Sequence, residues 1–326
     1  MLREFLTNNT IITPQIDFLL FLQNLRELSD GAFDQTFALL TRFGETLIPF
    51  TIMCLIYWCY SQKAGLFLFS LNGISITLAQ IFKTVVCIYR PWVLSENIHP
   101  QAEAILRAGG YSFPSGHSTM ASSSFGGMAY LVRKNKITSI LLILLVLGVC
   151  FSRLYLGVHT PQDVMVGFLT GLILILPVAK IIDWCEKDKN RYLYFLAVFD
   201  IFAVIVLFFI CFKSYPMDYM NGELLVSPWS AKYTGIIHIG MSLGAINGGA
   251  LCRRFFPYEP QKYSIKVKTI IGIVGLVLAL TLLHLLDVNV WIKHCDFKIA
   301  LLCGFFSTFF PIGIYPFIFT RFVKEK

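Results

Sequence analysis

Three short stretches of an otherwise apolar chain gather three basic residues, two histidines and one aspartate. They run Lys83-Thr84-Val85-Val86-Cys87-Ile88-Tyr89-Arg90-Pro91, Pro114-Ser115-Gly116-His117, and Ser152-Arg153-Leu154-Tyr155-Leu156-Gly157-Val158-His159-Thr160-Pro161-Gln162-Asp163. Fixed cations hold phosphoryl oxygens, and an imidazole serves as nucleophile or as general acid and base. The set therefore suits phosphate transfer.

Each stretch also has a plainer reading. Lys83 and Arg90 are seven residues apart, two turns along one helix face, so both can point at one site. Alternatively they anchor a helix end at the membrane interface. Pro91 disfavours helical geometry at the residue before it, which puts Arg90 where the chain turns away from the span. Ser115-Gly116-His117 opens a glycine- and serine-rich span. Ser115 is either an ordinary cap there or, with the Gly116 amide, part of an anion site. Arg153 ends a span, His159 lies in the short loop, and Thr160-Pro161 fits the cap and first position of the next helix. Asp163 is spaced from Thr160 as in a capping box, yet it is also close enough to hold the His159 imidazole in one tautomer. Glu45 is an intramembrane acid that could pair with a motif arginine or bind a substrate hydroxyl, or it is simply a helix-start carboxylate.

The elements that position these residues follow from composition. The 326 residues are 56% hydrophobic and only 14% charged, which excludes a soluble protein of this length and indicates an all-α polytopic membrane protein. A span needs roughly 20 mostly apolar residues. About nine stretches qualify, near 43–61, 64–86, 117–132, 137–153, 162–182, 192–212, 231–250, 267–287 and 299–320. Ahead of them, Phe18, Leu22, Leu25 and Leu28 recur at helical spacing, which suits either an amphipathic interfacial helix or one packed on the bundle. The chain divides into an N-terminal amphipathic segment (1–36), a catalytic transmembrane core (37–212) and a C-terminal transmembrane extension (213–326).

The net charge of +8 could indicate nucleic acid in a soluble chain, but here the basic residues sit in loops between spans and report topology. If nine spans alternate, Lys63, Arg133, Lys134, Lys136, Lys180, Lys187, Arg253 and Arg254 fall on the richer side, which is then cytoplasmic. All three stretches face away from it. The nine cysteines show no metal-ligand spacing and read as buried apolar residues. His99, His238, His284 and His294 lack ligand partners at diagnostic spacing, and His294-Cys295-Asp296 reads as a polar turn. Trp92, Tyr111 and Phe113 suit the headgroup layer, as the lining of a lipid entrance or as interface anchors.

The three stretches resemble the signature of the type 2 phosphatidic-acid phosphatase superfamily, with every motif position filled. The resemblance implies a six-helix phosphatase-like core. It implies that His159 attacks phosphorus to form a phosphohistidine, that Asp163 orients it, and that His117 protonates the departing oxygen and later activates water. Lys83, Arg90 and Arg153, with Ser115 and the Gly116 amide, would hold the phosphoryl oxygens. Three fixed cations would do the work of magnesium, so no metal or other cofactor is expected. The expected partner is a membrane lipid carrying a phosphate or diphosphate, at the non-cytoplasmic face of what is expected to be a bacterial plasma membrane. The span count and Arg90-Pro91-Trp92 also resemble glucose-6-phosphatase, which keeps a soluble sugar phosphate open. A non-catalytic lipid-binding or transport role is the third alternative, although it has no need of both histidines and Asp163.

Overall fold

A computed structural model describes residues 2–220, 222–286 and 296–322. The chain is helical almost throughout, because backbone groups in lipid must be satisfied within their own segment. Among the described residues the only strands are the two-residue pair Tyr219–Met220 and Glu223–Leu224. This is the all-α polytopic architecture expected. Among the described residues seven helical stretches, some interrupted internally, are long and apolar enough to cross a membrane: Gln62–Leu94, Lys136–Tyr155, Pro161–Lys187, Arg191–Phe212, Pro228–Phe255, Ile265–Leu285 and Phe297–Phe322. An eighth results if Asp34–Gly44 and Leu47–Tyr60, bent by 51°, form one broken span. The ninth stretch expected, 117–132, forms a helical run over 116–131. At 1.5 Å per residue it extends about 24 Å, short of the roughly 30 Å hydrocarbon core.

Two compact units interleave along the chain. One comprises Met1–Pro49, Leu78–Ile173 and Lys213–Ala231, and the other Phe50–Thr77, Leu174–Phe212 and Lys232–Lys326. Every residue of the three stretches lies in the first.

In the first unit, helix Asn9–Leu28 packs on its neighbours through Ile12, Ile16, Leu19 and Leu22, with Ile98 completing the cluster. The stripe expected from the sequence is displaced, since Phe18, Leu25 and Leu28 are exposed. Helix Pro161–Ile173 docks on helix Gly116–Ala121 and the π-turn after it through two glycines. A Cβ on Gly167 would fall 2.5 Å from the Ser115 carbonyl oxygen, and one on Gly171 would fall 2.1 Å from Ser122 Oγ. Small residues at this spacing let two backbones approach closely. The approach lets the Ser115 N–H donate to the Asp163 carbonyl at 2.9 Å, which ties the second stretch to the third.

In the second unit several polar groups are paired. Arg253 forks onto Glu186, the Asn247 amide donates to Asp200 at 2.8 Å, and the Trp58 indole donates to the Pro311 carbonyl at 3.0 Å. Of the eight described cysteines, Cys54, Cys87, Cys150, Cys185 and Cys252 are buried. His294 and Cys295 lie outside the described residues.

Candidate active site

The third stretch builds the floor of the site. Helix Lys136–Tyr155 delivers Arg153 in its last turn, and Gly157 reverses the chain at φ +72°, a conformation that glycine adopts without cost. His159 follows, 2% exposed, and helix Pro161–Ile173 begins immediately after it. Asp163 is fully buried. Its Oδ2 accepts the Thr160 N–H at 2.9 Å, which is one half of a capping box, and lies 3.4 Å from His159 Nδ1. The two readings of Asp163 from sequence thus describe one oxygen.

Ser112 stands between them. Its hydroxyl donates to Asp163 Oδ2 at 2.6 Å and sits 3.2 Å from His159 Nδ1. On the far side of the ring, Arg90 Nη1 lies 2.9 Å from His159 Nε2. A guanidinium has no acceptor, so Nε2 must carry the lone pair and Nδ1 the proton. The proton faces the Ser112 oxygen and Asp163, and the lone pair faces the arginine. Burial, together with the charges of Arg90, Arg153, Lys83 and His117, holds the His159 imidazole well below the usual histidine range. Its neutral form therefore prevails near pH 7.

Lys83 and Arg90 converge on this site, though not along one helix face. Helix Gln62–Val86 ends before Arg90. Cys87 takes φ +51°, and Arg90 lies in extended backbone at ψ 155°. Pro91 enforces that extension, as its effect on the preceding residue requires. Both cations spend their donors on main chain. Lys83 Nζ donates to the carbonyls of Tyr111 and Pro114 at 2.8 and 3.2 Å. Arg90 donates to those of Gly109, Gly110 and Val158 at 2.8, 3.2 and 3.0 Å, besides His159. They hold loop 107–115 and the His159 loop in register.

Arg153 differs. Only its Nη1 is engaged, donating to Thr41 Oγ1 at 2.6 Å, while Nε and Nη2 are buried with no partner in the protein. His117 Nε2 is likewise buried without a partner. Buried donors left unpaired are costly, and they mark where an anion would be received. Ser115 caps its helix, accepting from the Ser118 N–H at 3.3 Å, and a Cβ on Gly116 would meet nothing within 4 Å. That space admits a bound group close to the backbone. Gly44 presses against His117 from the other side, with a virtual Cβ 2.9 Å from the His117 Cβ.

Glu45 pairs with neither motif arginine. It accepts from Arg107 Nη1 through both oxygens, at 2.9 and 3.1 Å. Tyr111 and Phe113, expected at the headgroup layer, are core residues instead at 1% and 5% exposure, Tyr111 stacking on Tyr215 with ring centroids 6.2 Å apart. Sequence reasoning missed Ser112, Thr41, Gly44 and Arg107. Ser112 alone left a signal, standing three residues ahead of Ser115 in the same loop. Among the described residues no cluster of three or more histidine, cysteine, aspartate or glutamate side chains could hold a metal ion.

Comparison with known proteins bears on the same region. The PAP2 superfamily model matches residues 64–187. An undecaprenyl-diphosphatase of Sulfolobus acidocaldarius is 33% identical over 134 residues, which cover 40% of this chain and 62% of that relative. A phosphatidylglycerophosphatase B of Bacillus subtilis is 29% identical over 139 residues, 39% of this chain and 68% of that protein. The chain thus spans less than two thirds of the first relative's length. No solved structure matches it significantly.

Proposed function

We propose that the protein, whose residues 64–187 match the PAP2 superfamily model, is an integral-membrane phosphatase that hydrolyses a lipid phosphate or diphosphate through a phosphohistidine. One observation carries the reading: His159 Nε2 bears its lone pair beside Arg90 while Nδ1–H is directed at Ser112 and Asp163. An incoming phosphate takes over the Arg90 donor and meets the nucleophile at the same point. The imidazole then attacks phosphorus, and the N–P bond forms as the bond to the leaving oxygen breaks. Asp163, through Ser112, stabilises the positive charge that develops on the ring. His117 gives a proton to the leaving oxygen and later takes one from the water that cleaves the phosphohistidine. Arg153 meets the phosphoryl oxygens with Nε and Nη2, assisted by Arg90, Lys83, Ser115 and the Gly116 amide.

Both relatives carry names of enzymes acting on lipids, which supports a lipid substrate over a soluble sugar phosphate. With the short helical run 116–131 counted as a crossing, the excess of basic residues in the loops opposite the motifs supports a site at the non-cytoplasmic face of the plasma membrane. Three cations around one nucleophile support turnover without a metal.

Wild type and His159→Ala, purified in detergent with EDTA, test this on a panel of phosphatidic acid, an isoprenyl diphosphate, a sphingoid phosphate and glucose phosphate. Phosphate release from a lipid by wild type alone is the expected result. Release only from the sugar phosphate would overturn the lipid reading. Loss of turnover on chelation, restored by a divalent ion, would overturn metal independence. No release from any substrate by folded protein would leave a binding or transport role.

A further inference from the structure

We propose that Arg107 is a specificity residue, held on Glu45 in the free protein, that engages the second phosphoryl group of a lipid diphosphate. This role presupposes the phosphatase reading of the same site and adds the substrate that the site handles best.

Arg107 caps the short helix Ala102–Leu106 and opens the loop whose Gly109 and Gly110 carbonyls are gripped by Arg90. Its backbone is therefore fixed relative to the nucleophile. Its guanidinium is not, since the pair with Glu45 leaves the two side chains 49% and 27% exposed. Exposed pairs of this kind are weak and yield readily to a competing anion. The pair stands next to the chemistry. Glu45 follows Gly44, which abuts His117, and the Arg107 charge acts on the His117 imidazole. Arg107 and Arg153 also line one narrow cavity of about 20 Å³, with Thr41, Arg42 and Glu103 on its walls. Arg153 brings to that region its two unpartnered nitrogens.

The position lies on the side of His117, the group proposed to serve the leaving oxygen. When His159 attacks the terminal phosphorus of a diphosphate, the N–P bond forms and the bond to the bridging oxygen breaks. That oxygen keeps the electron pair and departs as part of a lipid monophosphate. The new charge is spread over a phosphate that Arg107, released from Glu45, can neutralise. A monophosphate ester offers no such group. Its leaving oxygen is an alkoxide and depends on the His117 proton alone.

The test compares an isoprenyl diphosphate with the isoprenyl monophosphate of the same chain length, using full-length protein in detergent. The ratio of kcat/KM for diphosphate over monophosphate is expected to fall at least about tenfold in Arg107→Met. It should recover in part in Arg107→Lys and not fall in Glu45→Gln, which frees the guanidinium without removing it. An unchanged ratio in Arg107→Met overturns the proposal. So does a fall in Glu45→Gln as large as that in Arg107→Met, because the pair would then be a structural strut. If Arg107→Met does not fold, Arg107→Gln takes its place under the same criteria. A folded wild type that releases phosphate from neither lipid defeats the phosphatase reading itself, a result distinct from active enzyme with an unmoved ratio.

Discussion

Arg153 and Arg253 each stand in the last turn of a long apolar helix, one in each compact unit, and they are treated in opposite ways. Arg253 is satisfied: Nε and Nη2 fork onto Glu186 at 2.8 and 2.7 Å, and Nη1 donates to Gln62 at 3.1 Å. Arg153 is 1% exposed, bonds only Thr41, and keeps two nitrogens unpartnered. A paired guanidinium is what a stable membrane protein builds. An unpaired one costs stability, and such costs concentrate where a ligand is received. The difference separates a guanidinium whose three nitrogens are all engaged by protein from one that keeps two nitrogens open, as the proposed anion site requires.

Substitution by methionine, which keeps the stem and removes the charge, sharpens this contrast most. Arg153→Met is expected to lower kcat/KM by about 10² to 10³-fold, the usual loss on removing a donor to developing oxyanion charge. Its melting temperature in detergent should hold or rise, because an unsatisfied buried charge has been removed. Arg253→Met should do the reverse. It leaves Glu186 without its partner, costs about 3 kcal/mol as broken, largely buried pairs do, and preserves turnover per folded molecule. If Arg153→Met unfolds the protein while Arg253→Met inactivates it, the assignment of roles is wrong.

Part of the candidate site was legible because its chemistry is spelled in side chains: His117, His159, Asp163 and the three cations fall in one unit, where Arg90 and Asp163 flank His159. The route by which Lys83 and Arg90 meet was not. A seven-residue interval reads as two helical turns, and nothing in Cys87 announces the left-handed φ that ends the helix first. Tyr111 and Phe113 misled in the same way, since an aromatic beside a polar loop looks the same in sequence whether it faces headgroups or a stack of tyrosines. The N-terminal helix buries Ile12, Ile16 and Leu19 because its neighbours within the unit choose the face, and apolar residues occupy more than one stripe of it. Ser112 left only its place three residues ahead of Ser115, a weak signal, because a serine near a proline is ordinary until a histidine and an aspartate are placed on either side of it.

A smaller effect is expected at that serine. Ser112→Ala removes the 2.6 Å donor to Asp163 and the oxygen that faces Nδ1–H, but leaves the Thr160 amide on the carboxylate. Turnover should fall about tenfold, at the low end for groups that assist proton placement, and Ser112→Thr should restore part of it. Loss of turnover as deep as in His159→Ala would mean that the hydroxyl does more than orient the ring.

The finest distinction concerns pH. Arg90 lies at His159 Nε2, Ser112 and Asp163 lie on its Nδ1 side, and the charges of Arg153, Lys83 and His117 also act on the ring. Burial and the surrounding cations disfavour the protonated ring, so lowering the pH through the ordinary histidine range near 6.5 should not silence the nucleophile. The acid limb of kcat/KM should lie below that range. Removing a nearby cation relieves the repulsion that disfavours the imidazolium, which raises its pKa. In Arg153→Met the residual activity should therefore be lost at a higher pH than in wild type, with the limb moved upward. Arg253→Met, whose charge is not among those acting on His159, should leave the limb where it was. An equal displacement in both variants would show that the limb follows the net charge of the protein instead of the field at the nucleophile, and the contrast between the two arginines would not extend to the titration of the site.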